Sequence, residues 1–327
     1  MPHNVHKYFS IDEGSLLGFP ITPYNASGQV DATALAQHIE MLLSYGARAI
    51  FAACGTGEMQ CLTMSEHDLV IATTVESVAG RVPVFSATGF GLQQSVEMID
   101  RAAEAGVDGV LAFPPYMTGH DGESLYGYYS SLAGRSKLPI IIYQRDAVLF
   151  SPEVLGALAN LPNVVGLKDG TGLVDVIQQQ VRSVSDPRFV YFNGTPTAEL
   201  YVPSMVKAGI ASYSSALLNV VPEFAYAFNH AFVSGDSATQ RHLIDEVVIP
   251  FIELRNRRAG YAVALVKEGI NIRGRAVGPV RPPLLPVTAT DRSDLHQWLD
   301  RLGLAGELKP QSPDARLWTL PANRIHA

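Results

Sequence analysis

Charge is scarce in this sequence. Only 17% of its 327 residues are Asp, Glu, Lys or Arg, with 24 Lys plus Arg against 31 Asp plus Glu and a formal net charge of −7. The basic residues form no run, so the positive footprint that nucleic-acid binding requires is missing. Cysteine is nearly absent too. Cys54 and Cys61 cannot build a disulfide framework and are not spaced as a zinc ligand set, so free thiols and a cytoplasmic address are expected. No uninterrupted apolar stretch approaches the length of a membrane-spanning helix, about 18 residues. The first residues, MPHNVHKYFSIDEG, hold no apolar core of signal-peptide length.

Several chemistries lack their motifs. There is no HExxH, no P-loop and no nucleophile elbow. Thr88-Gly89-Phe90-Gly91 is Gly-rich but lacks the GxGxxG fingerprint. The nine histidines make no metal-ligand pattern, and His3 and His6 fall in an end expected to be loose. Neither a metal nor an organic cofactor is expected.

What is abundant is apolar: 47% of the residues, enough for one large core. A helical segment closing on Gly and leading at once into an apolar run recurs at Tyr45-Gly46-Ala47, Ala105-Gly106-Val107 and Ala208-Gly209-Ile210. Gly takes the left-handed conformation that ends a helix, and a buried parallel strand begins. Eight strands are predicted: Leu16–Ile21, Ala49–Ala53, Val82–Ala87, Gly109–Phe113, Ile140–Tyr143, Val164–Lys168, Val190–Asn193 and Ile210–Tyr213. Most are continuous apolar runs, as expected of strands covered on both faces. Between them lie amphipathic helices, one over Asp31–Tyr45, one opened by the capping box Thr63-Met64-Ser65-Glu66, and one with Ser151 as N-cap and Pro152 at its first position. Eight such units predict a (β/α)₈ TIM barrel, with a doubly wound open sheet as the alternative. Helical segments over Asp236–Arg258, Gly260–Gly269 and Asp294–Leu302, with a Pro-rich passage at Gly278–Pro286, predict a C-terminal helical extension. The division is therefore barrel 1–234, extension of the same domain 235–306, and a loose tail 307–327.

In such a barrel, functional groups sit where strands end. Lys168 ends the run Val164-Val165-Gly166-Leu167. Burial there favours the neutral amine, a nucleophile toward carbonyls; the plain alternative is a lysine snorkelling to the rim. Two-residue alternation puts Gly166 on the same face, leaving room for a ligand. Tyr143 ends the preceding strand, within reach of Lys168 as a proton shuttle, or else is a rim aromatic with a wet hydroxyl. Gly55-Thr56-Gly57-Glu58 suits a carboxylate held by backbone N–H groups and one hydroxyl; alternatively it is a tight turn with Glu58 bonded structurally. Arg145 can pair an acidic substrate or merely Asp146. Tyr116, after Pro114-Pro115, can line the site or a subunit contact. Ser212 and Ser214 offer hydroxyls.

Taken together, the Gly55-Thr56-Gly57-Glu58 loop, the strand-five Tyr143 and the strand-six Gly166-Leu167-Lys168-Asp169-Gly170 resemble the dihydrodipicolinate synthase and N-acetylneuraminate lyase superfamily of Schiff-base barrels, from about Leu16 to Phe232 and into the helical extension. Within it the chain is most similar to the 5-dehydro-4-deoxyglucarate dehydratases, on the words GFPIT, AACGTGE, FPPYM, YQRD (usually YNRD), GLKDGTG, FNGTPTAE, ASYSSA and GPVRPPL. Gly55 stands where the synthases carry the first of two threonines, and Met117 where they carry a second tyrosine. The synthases' arginine beyond the strand-five Tyr, followed by Thr-Gly, is missing, and Arg145 sits closer.

The resemblance implies a six-carbon keto diacid as substrate, an imine on Lys168, and Tyr143 moving protons. Loss of water and then CO₂ yields 2,5-dioxopentanoate. Gly55, Thr56 and Gly57 would hold the carboxylate beside the ketone, Arg145 would favour a second carboxylate, and a homotetramer or homodimer is expected. The alternatives are a pyruvate-dependent aldolase or synthase of the same superfamily, and a non-catalytic sugar-acid-binding barrel.

Overall fold

The apolar runs lie side by side in parallel. The computed structural model describes residues 15–116, 121–210, 212–312 and 317–321; Met117, His3, His6 and Ala211 lie outside them. The strands are β1 (Leu16–Gly18), β2 (Ile50–Ala52), β3 (Val84–Phe90), β4 (Gly109–Pro115), β5 (Ile140–Gln144), β6 (Val164–Asp169), β7 (Val190–Asn193) and β8 (Ser212–Ser215). They close into a barrel, β1 pairing both β2 and β8. The open-sheet alternative is thereby excluded.

Helices alternate with the strands: α1 (Ala32–Ser44), α2 (Met64–Val78), α3 (Leu92–Glu104), α4 (Gly122–Ala133), α5 (Pro152–Ala159), α6 (Val174–Ser183), α7 (Val202–Lys207) and α8 (Pro222–Val233). Thr63 and Glu66 form the expected capping box, and Ser151 caps α5. Gly46, Gly106 and Gly209 all have positive φ, as the helix-Gly-strand joints require.

Two apolar layers hold this frame. Between strands and helices lies a large outer core that includes Leu35, Ile50, Val110, Ile142, Leu155 and Phe228. Inside the barrel, Leu17, Phe19, Phe51, Phe85, Leu111, Ile141 and Phe192 fill the lumen. Phe51 stacks between Phe19 and Phe85 at ring separations of 4.5 and 4.7 Å. This plug leaves only the ends of the strands free to build a site.

β1 ends at Gly18, short of the expected Ile21, and β3 is shifted from Val82–Ala87 to Val84–Phe90; β8 and β6 depart in ways that bear on side-chain direction. β8 starts at Ser212 rather than Ile210; its Tyr213 turns outward against Phe228 and Phe232. In β6 the two-residue alternation breaks. Ile140 pairs with Val164 but Ile141 with Gly166, so Val165 is an inserted residue, and Val164 joins the outer core. Gly166 does not make room for a ligand: a β-carbon there would stand 2.6 Å from Val190 Cγ2 and from Val190 O.

The chain then adds α9 (Ser237–Leu243), a π-helical turn (Ile244–Val248), α10 (Ile249–Arg255), α11 (Tyr261–Ile272) and α12 (Ala289–Arg301). The single helix expected over Asp236–Arg258 is interrupted before Pro250, which has no N–H to continue the ladder. Helix α12 starts earlier than Asp294 because Thr288 caps it, accepting from Asp291 N. The tail expected from Glu307 is partly docked: Leu308 is buried and donates its N–H to Arg273 O, and Trp318 meets the Phe224 ring edge-on.

One buried ion pair ties the extension to the barrel. Lys267 Nζ, on α11, stands 2.9 Å from Glu58 Oε1 with both side chains out of water, and it also donates to Thr22 O and Pro279 O. Lys267→Met would strand the Glu58 carboxylate and should cost about 3–5 kcal/mol of stability. The double variant Glu58→Gln, Lys267→Met removes both charges and should recover a large part of that loss. Denaturant midpoints of the four proteins measure the coupling; equal instability of the double and single variants would show that the charges do not act as a pair.

Candidate active site

Lys168 points up from the end of β6, 6% exposed, beside Tyr143 of β5, its direct register partner. Its Nζ lies 3.9 Å from the Phe19 ring centre, 4.5 Å from that of Tyr143 and 5.9 Å from that of Phe192. Aromatic faces favour the ammonium, whereas loss of water favours the amine. Burial wins, and it brings Lys168 from 10.5 down to about 7. The same burial pushes the Tyr143 phenol up to about 12, against the pull of Arg145. Tyr143 Oη is 3.5 Å from Gly194 O, a long contact. Cys54 shares this interior, and burial lifts its thiol to about 12, which makes it a small apolar neighbour.

Above the pair opens a cavity of about 350 Å³. Of the residues expected from the sequence, Lys168, Tyr143, Gly55, Thr56, Arg145 and Ser214 line it. Three others do not. Gly57 is packed for structure: its carbonyl accepts from Thr22 Oγ1, and a β-carbon there would meet Ala53 Cα at 3.1 Å. Ser212 is buried in the barrel wall. Tyr116, 72% exposed, lines a second hollow that shares Gly55, Gln60, Phe113 and Arg145 with the first.

Arg145 Nε donates to Asp146 Oδ2 at 2.8 Å, so the expected pairing exists. Its guanidinium still borders the cavity, against the Phe113 and Tyr143 rings. Its tip is near the Gly loop, since a β-carbon on Gly55 would stand 3.9 Å from Arg145 Nη1. Gln144 faces away from the cavity. It exchanges hydrogen bonds with Gln180 and donates to Asp169 Oδ1. Asp169 in turn accepts from Thr171 N, Thr171 Oγ1 and Gly172 N, which sets the loop after Lys168.

Other lining residues went unrecognised in the sequence. Phe19, Thr195 and Thr197 lay within the words GFPIT and FNGTPTAE without a role, and Ala262, Val263 and Leu284 come from the extension. Gly194 matters most. A β-carbon there would lie 2.1 Å from Lys168 Cε and 2.5 Å from its Cγ. Only glycine lets the lysine stand where it does.

Residues 12–302 match the pattern of the Dihydrodipicolinate synthetase family. The chain belongs to that family. Within it, a protein of Streptomyces griseus named "Probable 5-dehydro-4-deoxyglucarate dehydratase" is 43% identical over 288 residues, 87% of this chain and 90% of that one. A protein of Pseudomonas putida strain W619 with the same name is 36% identical over 301 residues, 92% and 99% of the two chains. Among solved structures, a dihydrodipicolinate synthase from Oceanobacillus iheyensis superposes with a TM-score of 0.83 at 28% identity, covering 90% of this chain and 97% of its own.

The glycine beside Lys168 gives this family member a direct test. Gly194→Ala should keep the circular dichroism spectrum while cutting borohydride-trapped pyruvate adduct at Lys168 by roughly a hundredfold, since small displacements at a reacting centre cost that much. Undiminished adduct would mean that the lysine tolerates another position.

Proposed function

We propose that this protein is a Schiff-base lyase that removes water and CO₂ from 5-dehydro-4-deoxyglucarate to give 2,5-dioxopentanoate. The observation that carries the reading is the desolvated Lys168 beside Tyr143 under a cavity with one cationic end. The names of the relatives supply the substrate.

Lys168, brought to about 7, is about half free amine at neutral pH, and in that form attacks the ketone. The carbinolamine must lose its oxygen as water, which needs an acid. Tyr143, held at about 12, is a phenol at rest and gives that proton. The resulting iminium withdraws electrons from the neighbouring CH₂. A base, the Tyr143 phenolate now formed, takes one of its protons, and the enamine expels the β-hydroxyl as a second water. The conjugated iminium then accepts the electron pair of the distal carbon–carboxylate bond as CO₂ departs. Protonation of the dienamine and hydrolysis release product and regenerate Lys168. The imine is itself the electron sink, so these steps call on no cofactor.

Gly55 and Thr56 take the carboxylate beside the ketone. Arg145 joins them there, because its tip lies near Gly55, rather than serving the second carboxylate that its charge was expected to favour. Arg145→Met should therefore weaken the diacid and pyruvate to a similar degree, read as KM and as the concentration needed for trapping. Weakening confined to the diacid would return Arg145 to the second carboxylate.

The reading itself is tested by mass spectrometry. Borohydride with substrate should add mass to the peptide carrying Lys168, and the diacid should yield one CO₂ with no pyruvate. Pyruvate as the main product would indicate the aldolase reading instead, and absence of any adduct the binding-barrel reading. Tyr143→Phe should stay folded and lose about 10²–10⁴-fold in turnover. Trapping should also follow pH with the sign of a depressed lysine: the free amine fraction grows as pH rises through about 7, so adduct formation should climb there. A climb near 10.5 would contradict the buried state of Lys168.

For the assembly, the exposed Tyr116 and Leu285 support a homodimer or homotetramer, which light scattering measures. Two free thiols, one buried and one half-buried, support a cytoplasmic location, and no helix among the described residues is long and apolar enough to cross a membrane.

A further inference from the structure

The cavity is electrically lopsided. Among the described residues lining it, the cations are Lys168 and Arg145. Arg145 and the Gly55–Thr56 loop gather at the side formed after β2, β4 and β5, where Arg145 rests on Phe113 and Tyr143. The side formed after β7 and β8 carries hydroxyls: Thr195, Thr197 and Ser214. Beyond them the C-terminal extension closes the space with Phe251, Ala262, Val263 and Leu284. The next cation on that side, Arg255, does not line the cavity. Its Nη1 donates to Pro196 O and Thr197 Oγ1, both at 2.7 Å, and its Nε and Nη2 to Asn256 Oδ1.

A substrate tethered through its ketone to Lys168, with the adjacent carboxylate at Gly55, Thr56 and Arg145, must extend its remaining carbons the other way. Its hydroxyls then meet the hydroxyl side. Its far carboxylate meets the apolar wall of the extension. A carboxylate taken from water without a cation is destabilised, and its charge is relieved when the bond to the chain breaks and CO₂ leaves. Here the wall of aliphatic side chains provides that desolvation.

We propose that Ala262, Val263 and Leu284 form the subsite of the departing carboxylate, and that this wall commits the dehydrated intermediate to decarboxylation. The inference rests on the function proposed above and adds to it where the second carboxylate lies and why it leaves. The step balances within the intermediate. The bond between the distal carboxylate carbon and its neighbour breaks, and its electron pair moves through the conjugated system onto the iminium nitrogen. CO₂ departs, and a neutral dienamine remains to be protonated.

A cation placed on the wall should hold the carboxylate and separate the two losses. Val263 and Leu284 are both half-buried, so Val263→Lys and Leu284→Lys can reach solvent while entering the subsite. Wild type should release one CO₂ per diacid consumed. Each lysine variant should release about tenfold less per diacid, the effect of roughly 1.4 kcal/mol. Its organic product should retain six carbons, as the diacid less one water. Val233→Lys, which adds the same charge on the exposed end of α8 and outside the cavity lining, should keep the wild-type ratio. Pyruvate has no second carboxylate, so borohydride trapping of pyruvate on Lys168 should match wild type in all three variants and reports that the site is intact. One CO₂ per diacid from both wall variants, with normal pyruvate trapping, overturns the inference. A wild-type protein that consumes the diacid without releasing CO₂ overturns the function reading, and this inference with it.

Discussion

Lys267 reaches from α11 into the upper rim of the barrel, where Glu58 Oε1, Thr22 O and Pro279 O each accept a hydrogen bond from it at 2.9 Å. An ammonium out of water is tolerable only when all three donors are satisfied, so this one position dictates three others. Thr22 belongs to the loop after β1. Glu58 follows the Gly loop and holds a left-handed conformation at φ 59°. Pro279 begins the strap to which Arg281 belongs, and Arg281 adds a backbone N–H to Glu58 Oε2 and a guanidinium to Glu66. One desolvated charge thus fixes the Gly55–Glu58 loop, the first βα loop and the passage that brings Leu284 over the cavity. The extension is in this sense part of the site.

The contrast with Lys168 is instructive. Both lysines are buried, and burial lowers both, Lys267 to about 8 and Lys168 to about 7. Lys267 meets a carboxylate and two carbonyls, which hold its proton and make it a structural cation. Lys168 meets the faces of Phe19, Tyr143 and Phe192. Rings attract a cation by about 0.5–2 kcal/mol, too little to offset desolvation, so the nucleophilic amine is favoured. What separates Lys168 from Lys267 is the partner, not the depth.

Sequence patterns carried the barrel well, because closing glycines at Gly46, Gly106 and Gly209 and continuous apolar runs each have a single structural meaning. The positions of Lys168 and Tyr143 at neighbouring strand ends were legible from the apolar runs that precede them, whereas the choice between a site role and a rim position came from the family resemblance. The failures share a cause as well. Gly166 was misread because the space beside it is filled by Val190 of the neighbouring strand β7, a contact that leaves no mark in the sequence of β6 itself. Gly194 was overlooked because its need arises from a lysine on the neighbouring strand. Arg145 was placed by its distance along the chain, yet its direction is set by Asp146 and by the rings below it. The wall of Ala262, Val263 and Leu284 was invisible, since an apolar residue facing a cavity and one facing the core look alike in one dimension.

In the proposed reaction, burial also sets the order of events. It shifts both partners toward their uncharged forms, so about half of the resting protein at neutral pH holds an amine beside a phenol, and in that half neither has to exchange a proton before substrate arrives. The amine is already a nucleophile. The phenol is already an acid for the departing oxygen. Once the imine forms, the nitrogen of Lys168 carries a positive charge that water does not screen, in a site where opposite charges interact far more strongly than in solution. That charge lies beside the Tyr143 ring and stabilises its phenolate. The same residue that was too weak an acid to ionise at rest is thereby made available as a base, and only while the intermediate is covalently held. A basic Tyr143 in the free protein would have to stand as a buried anion beside Phe113 and Cys54, and the pull of Arg145 is too small to offset that desolvation. The iminium both creates the acidic proton on the substrate and supports the base that removes it, so proton abstraction is coupled to imine formation by electrostatics alone.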